Sequence, residues 1–179
     1  MTTKDGGPAS TGPLFETAKR FVSGVDRVSF WLVVAAMAGM AGLVSFQVFM
    51  RYALSSSLDW AEEIARLFFV WTMLLAIPHG IKAGVHVGID LLVLQFPPGL
   101  QEILFRTTAL IGSLLMLIVC IYAYVVVGQT WQELMPTVNV TSAVYYIAVL
   151  VSAGHSSLHL AILTWGGSQT WAKKARPQA

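Results

Sequence analysis

The sequence is poor in charged residues. Lys, Arg, Asp and Glu make up 11% of its 179 residues, whereas a soluble domain carries about 25%. Charge is absent from three runs, Val28–Met50, Thr107–Gln132 and Leu134–Ala172. Each run is longer than the roughly 20 apolar residues that a helix needs to cross a bilayer core of about 30 Å. These runs exclude a soluble enzyme, a nucleic-acid-binding protein and a disordered chain, and they indicate an integral membrane protein.

Cysteine is also scarce. Cys120 is the single cysteine and lies inside an apolar run, so it has no internal disulfide partner and is expected to act as a small buried hydrophobe. Basic residues cluster only near the termini, which gives no sign of a nucleic-acid partner. A polar or mixed segment precedes an apolar run too long for a signal peptide, so we expect no cleavable leader.

Four transmembrane helices are predicted, at about 28–50, 60–81, 107–127 and 143–165. The fold class is therefore all-α integral membrane. The second span is the least plain, because its charge-free part, Leu67–Ile81, would rise only about 22 Å as a helix. A full crossing must include the preceding turn, Trp60–Arg66. Outside the spans we predict a disordered tail over 1–13, an interfacial amphipathic helix over 14–27 and a basic tail over 166–179.

Two features bear on helix packing. The pairs Ala35/Gly39 and Ala38/Gly42 have the small-xxx-small spacing that lets helices approach closely in lipid. They are equally consistent with ordinary membrane composition. Pro78 lies near the end of the second span, where it is expected to kink the helix.

The orientation follows from the distribution of Lys and Arg, which favour cytoplasmic flanks. With the N-terminus inside, the outer flanks hold only Arg51 and Arg66. The inner flanks hold Lys4, Lys19, Arg20, Arg27, Lys82, Arg106, Lys173, Lys174 and Arg176. Both termini are therefore predicted to be cytoplasmic. The segment 85–105 is predicted to be amphipathic and to lie in the cytoplasmic interface, with a shallow buried loop as the alternative.

The strongest local signal lies at the outer ends of the first two spans. We name it the outer cluster: Arg51, Tyr52, Asp59, Trp60, Glu62, Glu63 and Arg66. Helical spacing allows Arg66 to pair with Glu62 or Glu63, and Arg51 is within reach of a carboxylate of the second span. Such charges either fix helix register and function or are interfacial residues reaching water, with Trp60 in the aromatic belt. No nucleophile or metal set accompanies them, so no enzyme is predicted.

A second group, Lys82, His86 and Asp90, begins where the second span ends. His86 and Asp90 are one turn apart if this segment is helical, so they are able to hydrogen-bond. One His with one Asp is a weak metal signal. A structural pair that anchors the interfacial segment is the favoured interpretation.

Three further histidines raise the alternative of haem ligation between membrane helices. His79 is expected near the inner surface and His155 near mid-span, and this mismatch in depth disfavours a shared haem. We instead expect hydrogen bonds between helices from His155, His159 and the serines at 152, 156 and 157. No charged residue is placed at the bilayer midplane, which disfavours a stand-alone ion-coupled carrier.

Three motifs in register resemble those of a known family. Phe46–Tyr52, Trp60–Arg66 and Lys82–Asp90, followed by Phe96-Pro97-Pro98, are similar to the small membrane subunit of tripartite ATP-independent periplasmic (TRAP) transporters. The order, the spacing and the four-span layout agree over about Val28–Trp165.

The resemblance implies a three-part uptake system in a bacterial inner (cytoplasmic) membrane. A periplasmic binding protein captures an organic acid, and a large elevator-type subunit moves it with a sodium gradient. The small subunit packs against the large one and supports it in the lipid bilayer. No cofactor is expected in this chain, since sodium coupling belongs to the large partner. The outer cluster is expected to fix spans 1 and 2 together. A b-type-cytochrome-like electron-transfer protein remains the alternative.

Overall fold

The computed structural model describes residues 13–56, 58–83 and 97–167, and these residues form four long helices. They are α1 (Pro13–Ala53), α2 (Asp59–Ala83), α3 (Pro98–Thr130) and α4 (Ala143–Gly166). All four are long and apolar enough to cross a membrane. The prediction of an all-α fold with four membrane spans is confirmed.

Two helices extend beyond their predicted spans. α1 has 41 residues and rises about 60 Å, roughly twice the thickness of a bilayer core. It runs without a break through residue 27, so segment 14–27 is the first part of α1 and not a separate helix. α3 begins at Pro98, because proline suits the first helical position, where no N–H donor is needed. Residues 98–105, predicted to lie in the interfacial segment, therefore belong to α3.

Consecutive helices run in opposite directions, so the bundle has two ends. The terminal end holds the start of α1 and the end of α4, where the rings of Phe15 and Trp165 meet edge to face at 5.8 Å. The loop end holds the α1–α2 connection and the α3–α4 loop, residues 131–142. α4 packs against the other three helices. The share of its apolar segment that is buried inside the bundle is 44%, whereas the share is 6% for the apolar segments of α1 and α3.

Glycine permits close contact at one of the two small-residue pairs. A Cβ atom added at Gly39 would lie 3.2 Å from Cε2 of Phe68 in α2. A Cβ atom added at Gly42 would meet nothing within 4 Å. The α1–α2 contact therefore uses Gly39 and does not involve Gly42.

Pro78 shapes the contact between α2 and α4. It is buried inside α2, which continues on both sides of it. Proline has no backbone N–H, so the carbonyl of Leu74, four residues earlier, loses its helical donor. Ser152 of α4 donates a hydrogen bond to that carbonyl at 2.5 Å. In a membrane span, a Ser side chain of a neighbouring helix is one of the groups that satisfy such a carbonyl. The proline thus creates an acceptor that joins the two helices.

Candidate functional site

Glu62 and Arg66 of the outer cluster form the predicted ion pair at the loop end. Arg66 Nη2 lies 3.4 Å from Glu62 Oε1, and the two side chains are 65% and 70% exposed. An exposed pair of this kind contributes about 0.2–1 kcal/mol. The pair is therefore a surface feature that adds little to the stability of the bundle.

Glu63 points elsewhere. Its Oε2 accepts hydrogen bonds from the backbone N–H of Thr137, at 2.9 Å, and from the Thr137 hydroxyl. Neighbouring residues on a helix differ by about 100° in direction, so Glu62 faces outward while Glu63 faces the α3–α4 loop. The predicted alternative of a Glu63–Arg66 pair is not found. Glu63 instead ties the start of α2 to the loop.

The α3–α4 loop is closed by its own hydrogen bonds, which hold Thr137 in place. The Ser142 N–H donates to the Glu133 carbonyl at 2.7 Å, and the Met135 N–H donates to the Val140 carbonyl at 2.9 Å. Met135 is buried. The loop is therefore a small hairpin with one buried anchor, and Glu63 holds it against α2.

Replacing Glu63 with Ala is expected to loosen the α3–α4 loop, since the two hydrogen bonds that Thr137 donates to its carboxylate are lost. Cleavage of residues 131–142 by a protease should become faster in the same variant. Glu62→Ala is the matched control, and its effect on unfolding should stay below about 0.5 kcal/mol. Equal sensitivity to the protease in both variants would contradict the role given to Glu63.

The rest of the outer cluster is exposed. Tyr52 is 83% exposed and Trp60 is 44% exposed. Arg51 is exposed as well, and no carboxylate lies within 4 Å of its guanidinium in the part of the chain that the structure describes. The expected bridge from Arg51 to the second span is thus not seen. Asp59 begins α2, where a negative charge suits the helix dipole. The outer cluster is an exposed patch in which Glu63 links α2 to the α3–α4 loop. Its role in fixing spans 1 and 2 together stays a prediction.

At the terminal end, Lys82 pairs with a residue that the sequence motifs did not include. Its Nζ contacts Oδ2 of Asp26 in α1. His86 and Asp90, the other two residues of the predicted inner group, lie outside the described residues. The ion pair joins the end of α2 to α1.

Asp26 is the centre of a group that joins three helices. We name this group the buried cluster: Asp26, Lys82, His155 and His159. Asp26 is 6% exposed, and its Oδ1 accepts hydrogen bonds from Nε2 of His155 at 2.9 Å and Nε2 of His159 at 2.7 Å. A buried carboxylate is costly unless it is paired and hydrogen-bonded. Here one cation and two imidazoles meet that requirement.

The position of Asp26 follows from the helical face that it shares. The buried residues of α1 are Phe15, Val22, Asp26 and Ser29, whose spacing of seven, four and three places them on one side of the helix. Ser29 adds a hydrogen bond to the carbonyl of Leu75 at 3.5 Å. An acid in register with two apolar residues is the signal that could have identified Asp26. Because 14–27 was predicted to be an interfacial amphipathic helix outside the spans, Asp26 was not singled out.

The histidines are only partly as expected. The predicted hydrogen bonds between helices are confirmed for His155 and His159. The predicted mismatch in depth is wrong, since the rings of His79 and His155 meet at a centroid distance of 6.1 Å. The cause is the level at which α4 packs, with Ser152 beside Leu74. His155 directs its Nε2 at Asp26 of α1.

These features define a multi-pass helical membrane protein, with a buried cluster that joins three helices and a charged, aromatic patch at the loop end. The chain belongs to the family of the DctQ component of tripartite ATP-independent periplasmic transporters, whose family model matches residues 40–170. It is therefore a TRAP small permease subunit of the bacterial inner membrane, as the sequence motifs indicated.

Individual relatives agree with this assignment. The chain is 24% identical to a TRAP transporter small permease protein of Haemophilus influenzae over 129 residues, which are 72% of this chain and 78% of the relative. It is 30% identical to the C4-dicarboxylate TRAP transporter small permease protein DctQ of Vibrio cholerae over 78 residues, 44% of this chain and 34% of the relative. It is also 28% identical to the sialic acid TRAP transporter permease protein SiaT of Haemophilus influenzae over 104 residues, 58% of this chain but 16% of the relative.

Proposed function

We propose that this subunit packs against a large membrane subunit and supports it in the bilayer during uptake of an organic acid. The main support for this proposal is the match to part of a longer permease. The segment similar to this chain is only 16% of SiaT, so in that relative it is covalently joined to a much longer permease. We infer that the matching segment of this chain makes the same kind of contact with a large permease subunit.

The named relatives support the substrate class. One is named for C4-dicarboxylates and another for sialic acid, and both are organic acids. We assign the movement of the acid to an elevator-type large subunit that is driven by a sodium gradient. A periplasmic binding protein delivers the acid to it.

The charges of this chain fit a supporting role. Asp26 is neutralised by Lys82 and already accepts two hydrogen bonds from histidines. Ion-coupled carriers place ionisable groups or broken helices around a central site, whereas α1 and α3 are unbroken. The coupling ion and the substrate are therefore assigned to the large subunit.

The distribution of basic residues supports an orientation with both termini in the cytoplasm. The loop end would then face the periplasm, with the outer cluster and the α3–α4 loop at its surface. We assign this end to contacts with the periplasmic parts of the partners. The exposed apolar sides of α1 and α3 are assigned to lipid and to the large subunit.

Co-purification tests the proposal. The chain carries an affinity tag and is expressed together with the large permease subunit of the same organism, and the membranes are solubilised in mild detergent. The large subunit is expected to elute with the tagged chain and not with an equally tagged, unrelated four-span protein. Recovery of a helical, tagged chain without the large subunit would contradict the proposal.

A substitution of Arg66 tests whether the loop end contacts the partner proteins. Arg66→Ala is expected to weaken association or uptake by about two- to fivefold, the scale of one exposed ion pair, with unchanged thermal unfolding. The matched control is Arg106→Ala, which breaks the equivalent Glu102–Arg106 pair (2.8 Å) at the terminal end. Normal uptake and normal co-purification in Arg66→Ala would show that the outer cluster does not contact the partner proteins.

A further inference from the structure

Three atoms of metal-ligand type meet inside the bundle. They are a carboxylate oxygen of Asp26 and a ring nitrogen each of His155 and His159, all within 4.8 Å of one another. All three residues are buried. Imidazole nitrogen and carboxylate oxygen are ligands that Zn²⁺ accepts, and three protein ligands are typical of an open tetrahedral site. The ligands come from helices α1 and α4 and not from loops.

The geometry is close to that of a metal site. His155 and His159 lie one turn apart on the same face of α4, with ring centroids 4.9 Å apart, and histidines at this spacing bind zinc in helical motifs. Ligands bound at about 2.0–2.1 Å in a tetrahedron lie about 3.3 Å from one another. The Nε2–Oδ1 distances are 2.9 and 2.7 Å. Small rotations of the side chains would therefore make room for the ion.

Lys82 holds the same carboxylate through its other oxygen, Oδ2. A divalent ion on Oδ1 would lie close to this ammonium group and be repelled by it. The Lys82 side chain is 27% exposed and lies in the last turn of α2, so it is able to swing toward water. A bound metal ion and Lys82 must therefore compete for Asp26.

We propose that the buried cluster binds one divalent transition-metal ion, with Zn²⁺ as the best fit, through Asp26, His155 and His159 in exchange for the Lys82 contact. Each imidazole stays neutral, since its proton moves from Nε2 to Nδ1 as Nε2 takes the metal. The bound ion links α1 to α4 through its ligands. This inference goes beyond the role as a transporter subunit and does not depend on it.

Equilibrium dialysis against Zn²⁺ tests the site on the full chain, purified in detergent with a tag that contains no histidine and stripped with a chelator. We expect one zinc ion per chain, measured by elemental analysis. His155→Ala and His159→Ala should each weaken binding at least about tenfold. His79→Ala is the matched control, because its ring contacts His155 but lies outside the ligand set, and it should keep the site.

Lys82→Met gives a result that misfolding cannot imitate. Removal of the competing ammonium group is expected to tighten Zn²⁺ binding by about tenfold, a change of about 1.4 kcal/mol. Absence of one tightly bound ion in the wild-type chain would overturn the proposal. So would binding that survives both histidine substitutions, or binding that becomes weaker in Lys82→Met. Co-purification with a large subunit is a separate readout, so the two proposals can fail independently.

Discussion

Replacing Asp26 with Ala is expected to lower the free energy of unfolding by about 3 kcal/mol. Removal of one partner from a buried ion pair costs about 3–5 kcal/mol, and here the carboxylate also serves two buried imidazoles. The lower end of that range applies because the Lys82 side chain is 27% exposed and is able to reach water. The measurement is unfolding in mixed micelles without added metal, followed by the loss of helical circular dichroism.

Two comparisons isolate the buried cluster in this experiment. Glu16→Ala removes an exposed acid from the same helix and should change the free energy of unfolding by less than about 0.5 kcal/mol. Asp26→Ala combined with Lys82→Met should cost less than the sum of the two single changes, because no unpaired charge remains. An Asp26→Ala variant as stable as Glu16→Ala would show that the cluster does not hold the helices together.

Ser152→Ala is expected to cost about 1–2 kcal/mol. The change leaves the Leu74 carbonyl without a donor, because Pro78 has no N–H to offer it. With Pro78→Ala in place, residue 78 again donates to Leu74, and the cost of Ser152→Ala should fall below about 1 kcal/mol. Unfolding in mixed micelles of the four chains that combine these two changes gives the coupling directly.

Ser157 serves as the matched control in the same helix. It exchanges hydrogen bonds with Ser113 of α3, at 3.2 Å, and no proline lies nearby. Ser157→Ala should cost about 0.6 kcal/mol, the average for a hydrogen bond between membrane helices, whether or not Pro78 is present. A cost of Ser152→Ala that does not depend on residue 78 would contradict the account of the α2–α4 contact.

The four helices and the family could be predicted from the sequence, because charge-free runs and motifs in register report directly on lipid burial and on ancestry. The ends of the helices could not be predicted from the sequence. The charges before residue 28 and before residue 107 mark the limits of the charge-free runs, but a helix continues wherever its backbone hydrogen bonds are satisfied. α1 and α3 therefore begin well before their predicted spans.

The buried cluster was harder to predict, because it depends on the level at which helices pack. His155 was expected at mid-span from its place in the sequence, yet the contact of Ser152 with Leu74 sets α4 at a level where His155 meets His79 and Asp26. The spacing of residues within one helix does not show how far that helix is shifted along its neighbours. The same limit applies to Glu63, whose partner Thr137 is brought close only by the folded α3–α4 loop.

Reconstituted uptake is the most direct test of the assignment as a transporter subunit. Vesicles contain the large permease subunit with or without this chain, and the binding protein is added outside, loaded with its radiolabelled organic acid, under an inward sodium gradient. Under this assignment, the label accumulates rapidly only when this chain is present. Equal accumulation in vesicles that lack the chain would contradict it.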